Sequence, residues 1–281
     1  MKAVKSKLAA YRVSVSETTI FLLYLLAGAA FSCSRLPRFA AQSRPLAIIA
    51  ALLSLTGITL HCQLLRAIVL GDGGINLSLV NTASMIGLEL ALIALIAALE
   101  PTLRGISSGL MILGALAAAA TAAGSAAPSS MALDWQIQAH VLISLLSYGL
   151  ITVGAIVAVY ATLQERRLQA GTISTINNLF APLETTEKLL FGIAAAGFAG
   201  LLLAILSGLT FVDNLFAQHL VHKTVFSILA LVVFGTLLAG RFLAGWRGTR
   251  AVRLYLGGFL LLCLAYFGTR LILEQLNRSW G

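Results

Sequence analysis

The stretch from Ile137 to Leu163 reads IQAHVLISLLSYGLITVGAIVAVYATL and contains no Asp, Glu, Lys or Arg. A helix of this length extends for about 40 Å, which exceeds the hydrocarbon core of a bilayer at roughly 30 Å. The rest of the chain has the same character, because 59% of its 281 residues are hydrophobic and 10% are charged. Soluble domains contain about 25% charged residues. The composition therefore excludes a soluble domain and favours a chain that uses lipid as its solvent.

Further apolar runs on both sides of this stretch are long enough to cross a membrane. The sequence therefore predicts an all-α polytopic membrane protein, a bundle of eight transmembrane helices in a single domain over residues 1–281. Residues 164–187 are expected to form a mixed polar linker, and no cleavable signal peptide is expected. The predicted helices run over about 18–34, 45–69, 77–99, 103–124, 137–163, 188–209, 219–240 and 251–273.

The formal net charge of +9 indicates orientation, not nucleic-acid binding, because Lys and Arg occur in short runs between the apolar stretches. One set of alternate loops holds eleven basic residues and should be cytoplasmic: Arg35, Arg38, Arg44, Arg104, Arg166, Arg167, Lys188, Arg241, Arg247, Arg250 and Arg253. The other set holds no basic residue and all three aspartates, Asp72, Asp134 and Asp213. The basic tail from Lys2 to Arg12 disagrees, because eight spans place it outside.

All four histidines fall toward the predicted outer side, on three different helices. His140 opens the fifth helix, and His219 and His222 open the seventh. His61 lies roughly one and a half turns inside the second helix. Imidazole is the usual axial ligand of haem iron and also binds zinc or copper. The alternative is a hydrogen-bonded residue at the interface or, for His61, a satisfied contact between helices.

Other polar residues in the apolar runs allow different functions. Glu89 lies near the middle of the third helix and would be protonated, paired with another helix, or part of a proton or substrate pathway. Arg66 and Lys223 are placed to contact an anion such as a haem propionate, or to snorkel to the interface. The cysteines form neither a CxxC pair nor a haem-attachment motif, and the histidines lack zinc-protease spacing.

Several segments carry a family resemblance in a fixed order along the chain. They include Gly71–Leu79, His140–Tyr148, Pro182–Phe191 and His222–Ser227. In these segments the sequence resembles the cytochrome c assembly superfamily that contains CcsA, CcmC and HemX-like proteins, and within it the YpjD-type branch. The resemblance implies an integral membrane protein that binds haem and takes part in cytochrome assembly.

Individual residues match the family pattern only in part. His140 matches an outer-side histidine associated with haem in CcsA-like proteins, and His61 matches an intramembrane histidine of the YpjD-type branch. The tryptophan-rich WWD segment is missing, since His222–Thr224 stands at about that place. The second outer histidine is replaced by Asn277. These departures imply that the chain is not an enzyme that completes cytochrome c synthesis.

The resulting hypothesis is a multi-pass inner-membrane protein that binds non-covalent haem b near the outer leaflet and assists cytochrome c maturation. His61 and His140 are the predicted axial ligands, with His222 as the substitute and Arg66 and Lys223 as propionate contacts. The predicted partners are haem, the lipid bilayer and other cytochrome assembly proteins, with no nucleic acid. Two alternatives are a small-solute or ion transporter centred on the third-helix glutamate, and a cofactor-free structural partner of a membrane complex.

Overall fold

The computed structural model describes the backbone of residues 2–71, 74–75, 78–120, 134–171, 181–211 and 221–268. Within these ranges, side chains are described except at residues 2–16, 70–71, 74–75, 79, 222, 267 and 268. Predictions that concern His219, Asp72, Asp213 and Asn277 lie outside the described residues.

Eight α-helices account for most of the described chain. They are α1 (Lys2–Cys33), α2 (Ser43–Val69), α3 (Leu79–Ala97), α4 (Arg104–Ala120), α5 (Trp135–Gln169), α6 (Leu183–Phe211), α7 (Val221–Ala244) and α8 (Gly248–Cys263). A π-helical turn, Leu264–Gly268, continues α8, and Leu70–Gly71 pairs with Gly74–Ile75 in a two-residue antiparallel ladder. The prediction of an all-α polytopic membrane protein is confirmed.

Seven of the helices in the described part of the chain, α2 to α8, are long and apolar enough to cross a membrane. The described apolar part of α1, Glu17–Cys33, is shorter than the others. Its 17 residues lie at the lower limit for a transmembrane helix, about 17 to 25 residues. The existence of eight helices is therefore confirmed, and a membrane crossing by α1 stays a prediction.

Several predicted helix ends were wrong where charged residues adjoin an apolar run. The helix α1 begins at Lys2 instead of residue 18, and the predicted linker 164–187 is occupied at both ends by α5 and α6. Glu, Gln, Lys and Arg are good helix formers, so a helix continues past the point where its apolar pattern stops. An ion pair at 2.8 Å between Glu184 and Lys188, one turn apart, supports the added first turn of α6.

The chain groups into two compact units, and a single membrane domain stays a prediction. The first unit contains α1 to α4, with α1 packed against α2 and α4, and α3 packed against α4. Small residues allow close approach there: a Cβ atom built on Gly114 would lie 3.0 Å from the carbonyl oxygen of Gly87. Ser32 and Ser108 also share a hydrogen bond of 2.6 Å between α1 and α4. Such small-residue contacts and polar bonds are typical of packing between helices in lipid.

The second unit contains α5 to α8, with α5 packed against α6 and α8, and α7 packed against α8. Tyr255 of α8 is fully buried, packs edge-on against Phe234 of α7, and donates a hydrogen bond of 3.1 Å to the carbonyl oxygen of Ile151 in α5. At one end of the unit, Glu187 of α6 accepts a hydrogen bond of 3.0 Å from the backbone nitrogen of Gly248, where α8 begins. These contacts connect α8 to each of the other three helices of the unit.

Candidate functional site

His61 lies in the interior of the first unit and is completely buried. Its Nδ1 atom lies 3.2 Å from the hydroxyl oxygen of Tyr24 in α1, and its Nε2 atom lies 2.8 Å from the hydroxyl oxygen of Ser84 in α3. Tyr24 and Ser84 are also completely buried. One imidazole thus joins three helices through two side-chain hydrogen bonds, in surroundings where an unpaired polar group is costly.

The local sequence of α2 explains how this ring reaches its position. His61 belongs to a buried stripe of α2 that also contains Ser54, Gly57, Ile58, Leu64 and Leu65. This three-and-four-residue spacing is the helical pattern of one packed face. One turn before His61, a Cβ atom on Gly57 would lie 2.7 and 2.8 Å from two ring carbons of Tyr24. The glycine therefore forms a notch that admits the tyrosine ring edge-on to the imidazole, with ring centroids 5.8 Å apart.

His140 lies in the second turn of α5 and is half-buried. Its Nδ1 atom lies 2.9 Å from the hydroxyl oxygen of Ser207 in α6, and that hydroxyl donates to the carbonyl oxygen of Ala204 at 2.9 Å. With the serine proton directed to this carbonyl, the serine oxygen is available to accept an N–H from Nδ1. The neutral ring then carries its lone pair on Nε2, the nitrogen available for ligation.

The ring of His140 packs closely against α6. A Cβ atom on Gly208 would lie only 3.1 Å from the Cε1 atom of the imidazole. The serine bonds to one ring nitrogen and the glycine leaves room for the Cε1 atom, so two neighbouring residues of α6 define the position of this histidine.

The remaining predicted site residues have other described surroundings or lie outside the description. His219 is outside the described residues, and His222 belongs to α7 with an undescribed side chain. Arg66 is exposed near the end of α2. The ammonium group of Lys223 lies over the ring of Tyr266, 5.6 Å from its centroid, which is a cation–π contact. His61 belongs to the first unit and His140 to the second, and their ligation of a shared iron stays a prediction.

Glu89 lies on the opposite side of α3 from the packed residues Gly87 and Ala91. It is half-buried, and the residues three and seven positions later, Leu92 and Ile96, are exposed at 42% and 66%. Among the described residues, its carboxyl group forms no hydrogen bond or ion pair. The structure therefore separates Glu89 from the histidine-bearing core of its unit.

Sequence reasoning missed Tyr24, Ser84, Gly57 and Ser207. A weak signal was present, because Gly57 and His61 are one helical turn apart and a polar ring in an apolar run needs a partner. The identity of that partner depends on which helices pack together, and the spacing of residues within one helix does not contain this information.

The donor set suits haem better than a metal ion held by several protein groups. Among the described residues, no group of three or more His, Cys, Asp or Glu side chains could hold a metal ion. Haem iron needs only one or two protein ligands, and neutral imidazole is a suitable one. His140 fits, because one nitrogen is held by a serine and the other carries the lone pair. His61 fits in its chemistry, and Ser84 occupies the position in front of its Nε2 atom.

The seven apolar helices and two hydrogen-bonded intramembrane histidines define a polytopic membrane protein with candidate ligands for a cofactor. The chain belongs to the family described as cytochrome C assembly protein, which matches residues 16–277.

Two relatives illustrate this membership. The chain is 31% identical over 240 residues to the inner membrane protein YpjD of Escherichia coli strain K12, covering 83% of this chain and 89% of that protein. It is 30% identical over 142 residues to an uncharacterized 28.8 kDa protein in the nifR3-like 5' region of Azospirillum brasilense, covering 50% of this chain and 52% of that protein. No solved structure matches the chain significantly.

Proposed function

We propose that this protein binds b-type haem non-covalently near the outer leaflet of the bacterial inner membrane and assists cytochrome c maturation. Family membership over residues 16–277 supports a role in cytochrome assembly. The observation that carries the haem proposal is the environment of His140, whose Nδ1 atom lies 2.9 Å from the Ser207 hydroxyl, an arrangement that supports Nε2 as the ligating nitrogen. The inner-membrane placement rests on the similarity to YpjD.

The proposed ligands are His61 and His140, with His222 as the substitute for His61. Neighbouring helices orient each ring: α6 holds His140 of α5 through Ser207, and α1 and α3 hold His61 of α2 through Tyr24 and Ser84. Arg66 and Lys223 are the proposed propionate contacts. When bound, haem would supply an iron centre that these imidazoles ligate. Ligation by two imidazoles would suit haem transfer or storage better than oxygen activation.

In this proposed role the chain binds and passes on haem, and it does not form the thioether bonds of cytochrome c. The chain lacks the WWD segment and has Asn277 near the place of the second outer histidine. Its proposed partners in maturation are other cytochrome assembly proteins in the same membrane.

The test is the haem content of the protein purified in detergent from haem-replete cells. We expect a reduced spectrum with split alpha and beta bands, and we expect the double variant His61→Ala, His140→Ala to lose most of the haem. His219→Ala serves as a control histidine on the same predicted side. A wild-type protein without haem, or a double variant with the full content, would contradict the proposal.

The same preparation separates the alternatives. A transporter centred on Glu89 predicts that Glu89→Gln abolishes solute uptake in vesicles while haem content is irrelevant. The absence of a described partner for this half-buried carboxyl group is the observation that favours this alternative. A cofactor-free structural partner predicts neither haem nor uptake.

A further inference from the structure

A cavity of about 450 Å³ lies within the second unit, near the end of α5 and the beginnings of α6 and α8. Ligand-binding pockets have volumes of about 300 to 1,000 Å³, so the cavity is large enough for a bound molecule. Its lining includes charged side chains from three parts of the unit: Glu165 of α5, Glu187 of α6, and Arg247 and Arg250 around the start of α8.

The cavity crosses the boundary between the charged and the apolar parts of these helices. Ala161 lies one helical turn before Glu165, and Leu190 and Phe191 lie one turn after Glu187. These apolar residues are therefore deeper in the predicted membrane than the two carboxyl groups. Charged residues that adjoin the end of an apolar run lie at the level of the lipid headgroups. The cavity is thus polar at headgroup level and apolar toward the hydrocarbon core.

The two carboxyl groups are held in place and can still accept further hydrogen bonds. Glu187 accepts a hydrogen bond of 3.0 Å from the backbone nitrogen of Gly248, and the carboxyl oxygens of Glu165 lie 3.4 and 3.5 Å from the hydroxyl oxygen of Thr249. A carboxylate accepts about four hydrogen bonds. Among the described residues, neither group forms an ion pair. Both carboxylates therefore suit a positively charged donor in the cavity.

The two arginines form no ion pair with a described acidic side chain either. Arg247 is exposed, and the guanidinium group of Arg250 lies over the ring of Trp246, 5.1 Å from its centroid. Guanidinium groups bind phosphate through charge-assisted hydrogen bonds. The cavity lining therefore presents positive and negative groups that do not neutralise each other, which matches a ligand that carries both charges.

We propose that this cavity binds a phospholipid whose headgroup carries a primary ammonium group. The ammonium group binds Glu165 and Glu187, the phosphate binds Arg247 and Arg250, and an acyl chain follows the apolar wall at Phe191. Charge complementarity and the position at the membrane boundary favour a lipid over a soluble molecule. The basic loops predict that this end of the unit is cytoplasmic, so the lipid belongs to the inner leaflet. This inference is independent of haem binding.

A purely structural role of the two glutamates makes a different prediction. Their carboxyl oxygens accept bonds at the start of α8, so they could serve only to hold that helix end. Glutamine keeps an oxygen that accepts the same bond but removes the negative charge. A structural role therefore survives the change from Glu to Gln, whereas binding of an ammonium group does not.

The experiment titrates the delipidated full-length protein in detergent with single lipids and measures the Kd by native mass spectrometry. The probes are phosphatidylethanolamine, phosphatidylcholine and phosphatidylglycerol with identical acyl chains. We expect the ethanolamine lipid to bind about 10-fold more tightly than the other two. The choline headgroup has no N–H donor, and the glycerol headgroup has no positive charge.

The variants locate this preference in the cavity. We expect the double variant Glu165→Gln, Glu187→Gln to raise the Kd for the ethanolamine lipid about 10-fold and to leave the Kd for the glycerol lipid unchanged or lower. Arg247→Gln should raise both Kd values, because both lipids carry the phosphate. The matched control is Glu184→Gln, since Glu184 is also on α6 but is 78% exposed and paired with Lys188. This control should retain the wild-type values.

Four results would overturn the proposal. The first is an equal Kd of the wild type for the ethanolamine and choline lipids, which needs no variant. The second is an unchanged preference in the folded double variant, whose folding a melting curve checks. The third is an unaltered Kd in Arg247→Gln, a change at an exposed side chain that keeps the informative test if the double variant unfolds. The fourth is displacement of the lipid by an equal concentration of soluble phosphoethanolamine, which would identify a free zwitterion as the ligand.

Discussion

His61 and His140 each bond to a serine hydroxyl, but they occupy different environments. His61 is completely buried between three helices, and both of its ring nitrogens are hydrogen-bonded. His140 is half-buried at the start of α5, and the serine next to it gives its own proton to a backbone carbonyl. One histidine is therefore part of the packing of its unit, whereas the other is only partly covered and has a described hydrogen bond from one of its two ring nitrogens.

The largest expected effect distinguishes the two histidines by stability. His61→Ala leaves a cavity and two buried hydroxyls without their partner, so we expect the free energy of unfolding to fall by about 3 kcal/mol. His140→Ala removes a half-buried ring and should cost about 1 kcal/mol or less. Melting curves of the haem-free proteins in detergent measure both changes. Equal losses would remove the distinction between a packed and an edge histidine.

The next effect tests the notch that positions the tyrosine. Gly57→Ala puts a Cβ atom about 2.7 Å from the ring of Tyr24, so we expect a loss of about 2 kcal/mol in the free energy of unfolding. Gly109→Ala in α4 is the matched control, because a Cβ atom there has nothing within 4 Å. This control should be neutral or stabilising, since alanine favours a helix. An unchanged free energy of unfolding for Gly57→Ala would mean that the close contact between Gly57 and the ring of Tyr24 does not hold α1 and α2 in place.

A smaller effect concerns the orientation of His140. Ser207→Ala removes the acceptor for its Nδ1 proton, so we expect the Kd for haemin to rise about tenfold with little change in melting temperature. Ser144→Ala on α5 is the control, because Ser144 donates to the backbone carbonyl of His140 and not to its ring. Haemin titration followed by Soret absorbance measures the change. An unaltered Kd for Ser207→Ala would place the ligand elsewhere.

The smallest effect comes from the close contact between α6 and the His140 ring. Gly208→Ala requires the ring to move by a few tenths of an ångström. We expect a change of about 0.5 kcal/mol or less in stability, because the cost of the shifted ring offsets the gain in helix propensity. A displaced Soret maximum would report the moved ring. Gly192→Ala, where a Cβ atom on α6 meets nothing within 4 Å, should leave the spectrum unchanged.

Much of the fold could be predicted from the sequence because lipid imposes simple requirements. Stretches such as Ile137–Leu163 must be helical, since a helix satisfies its own backbone hydrogen bonds in an apolar solvent. The ends of helices were less predictable, as Lys2 and Gln169 show. Charged and polar residues also favour helix formation, so a helix extends beyond its apolar run into water.

The candidate site could be predicted only in part. His61 was recognisable as an intramembrane ionisable residue and His140 as a histidine at a helix start. Tyr24 and Ser84 were not recognisable, because they lie 37 and 23 residues away from His61 in the chain. The predicted propionate contact Lys223 also has a neighbour that no local pattern reveals, the ring of Tyr266.

By itself, the sequence determined that this protein uses lipid as its solvent and how many helices it has, and it supplied the residues proposed as ligands. These properties depend on composition and on residue spacing along single helices. Tertiary structure alone decided which hydroxyl meets which ring nitrogen, and hence that His61 is enclosed by Tyr24 and Ser84 while His140 rests on Ser207. The physical reason is that a hydrogen bond between side chains requires atoms within about 3 Å, and only the packing of separate helices brings them that close.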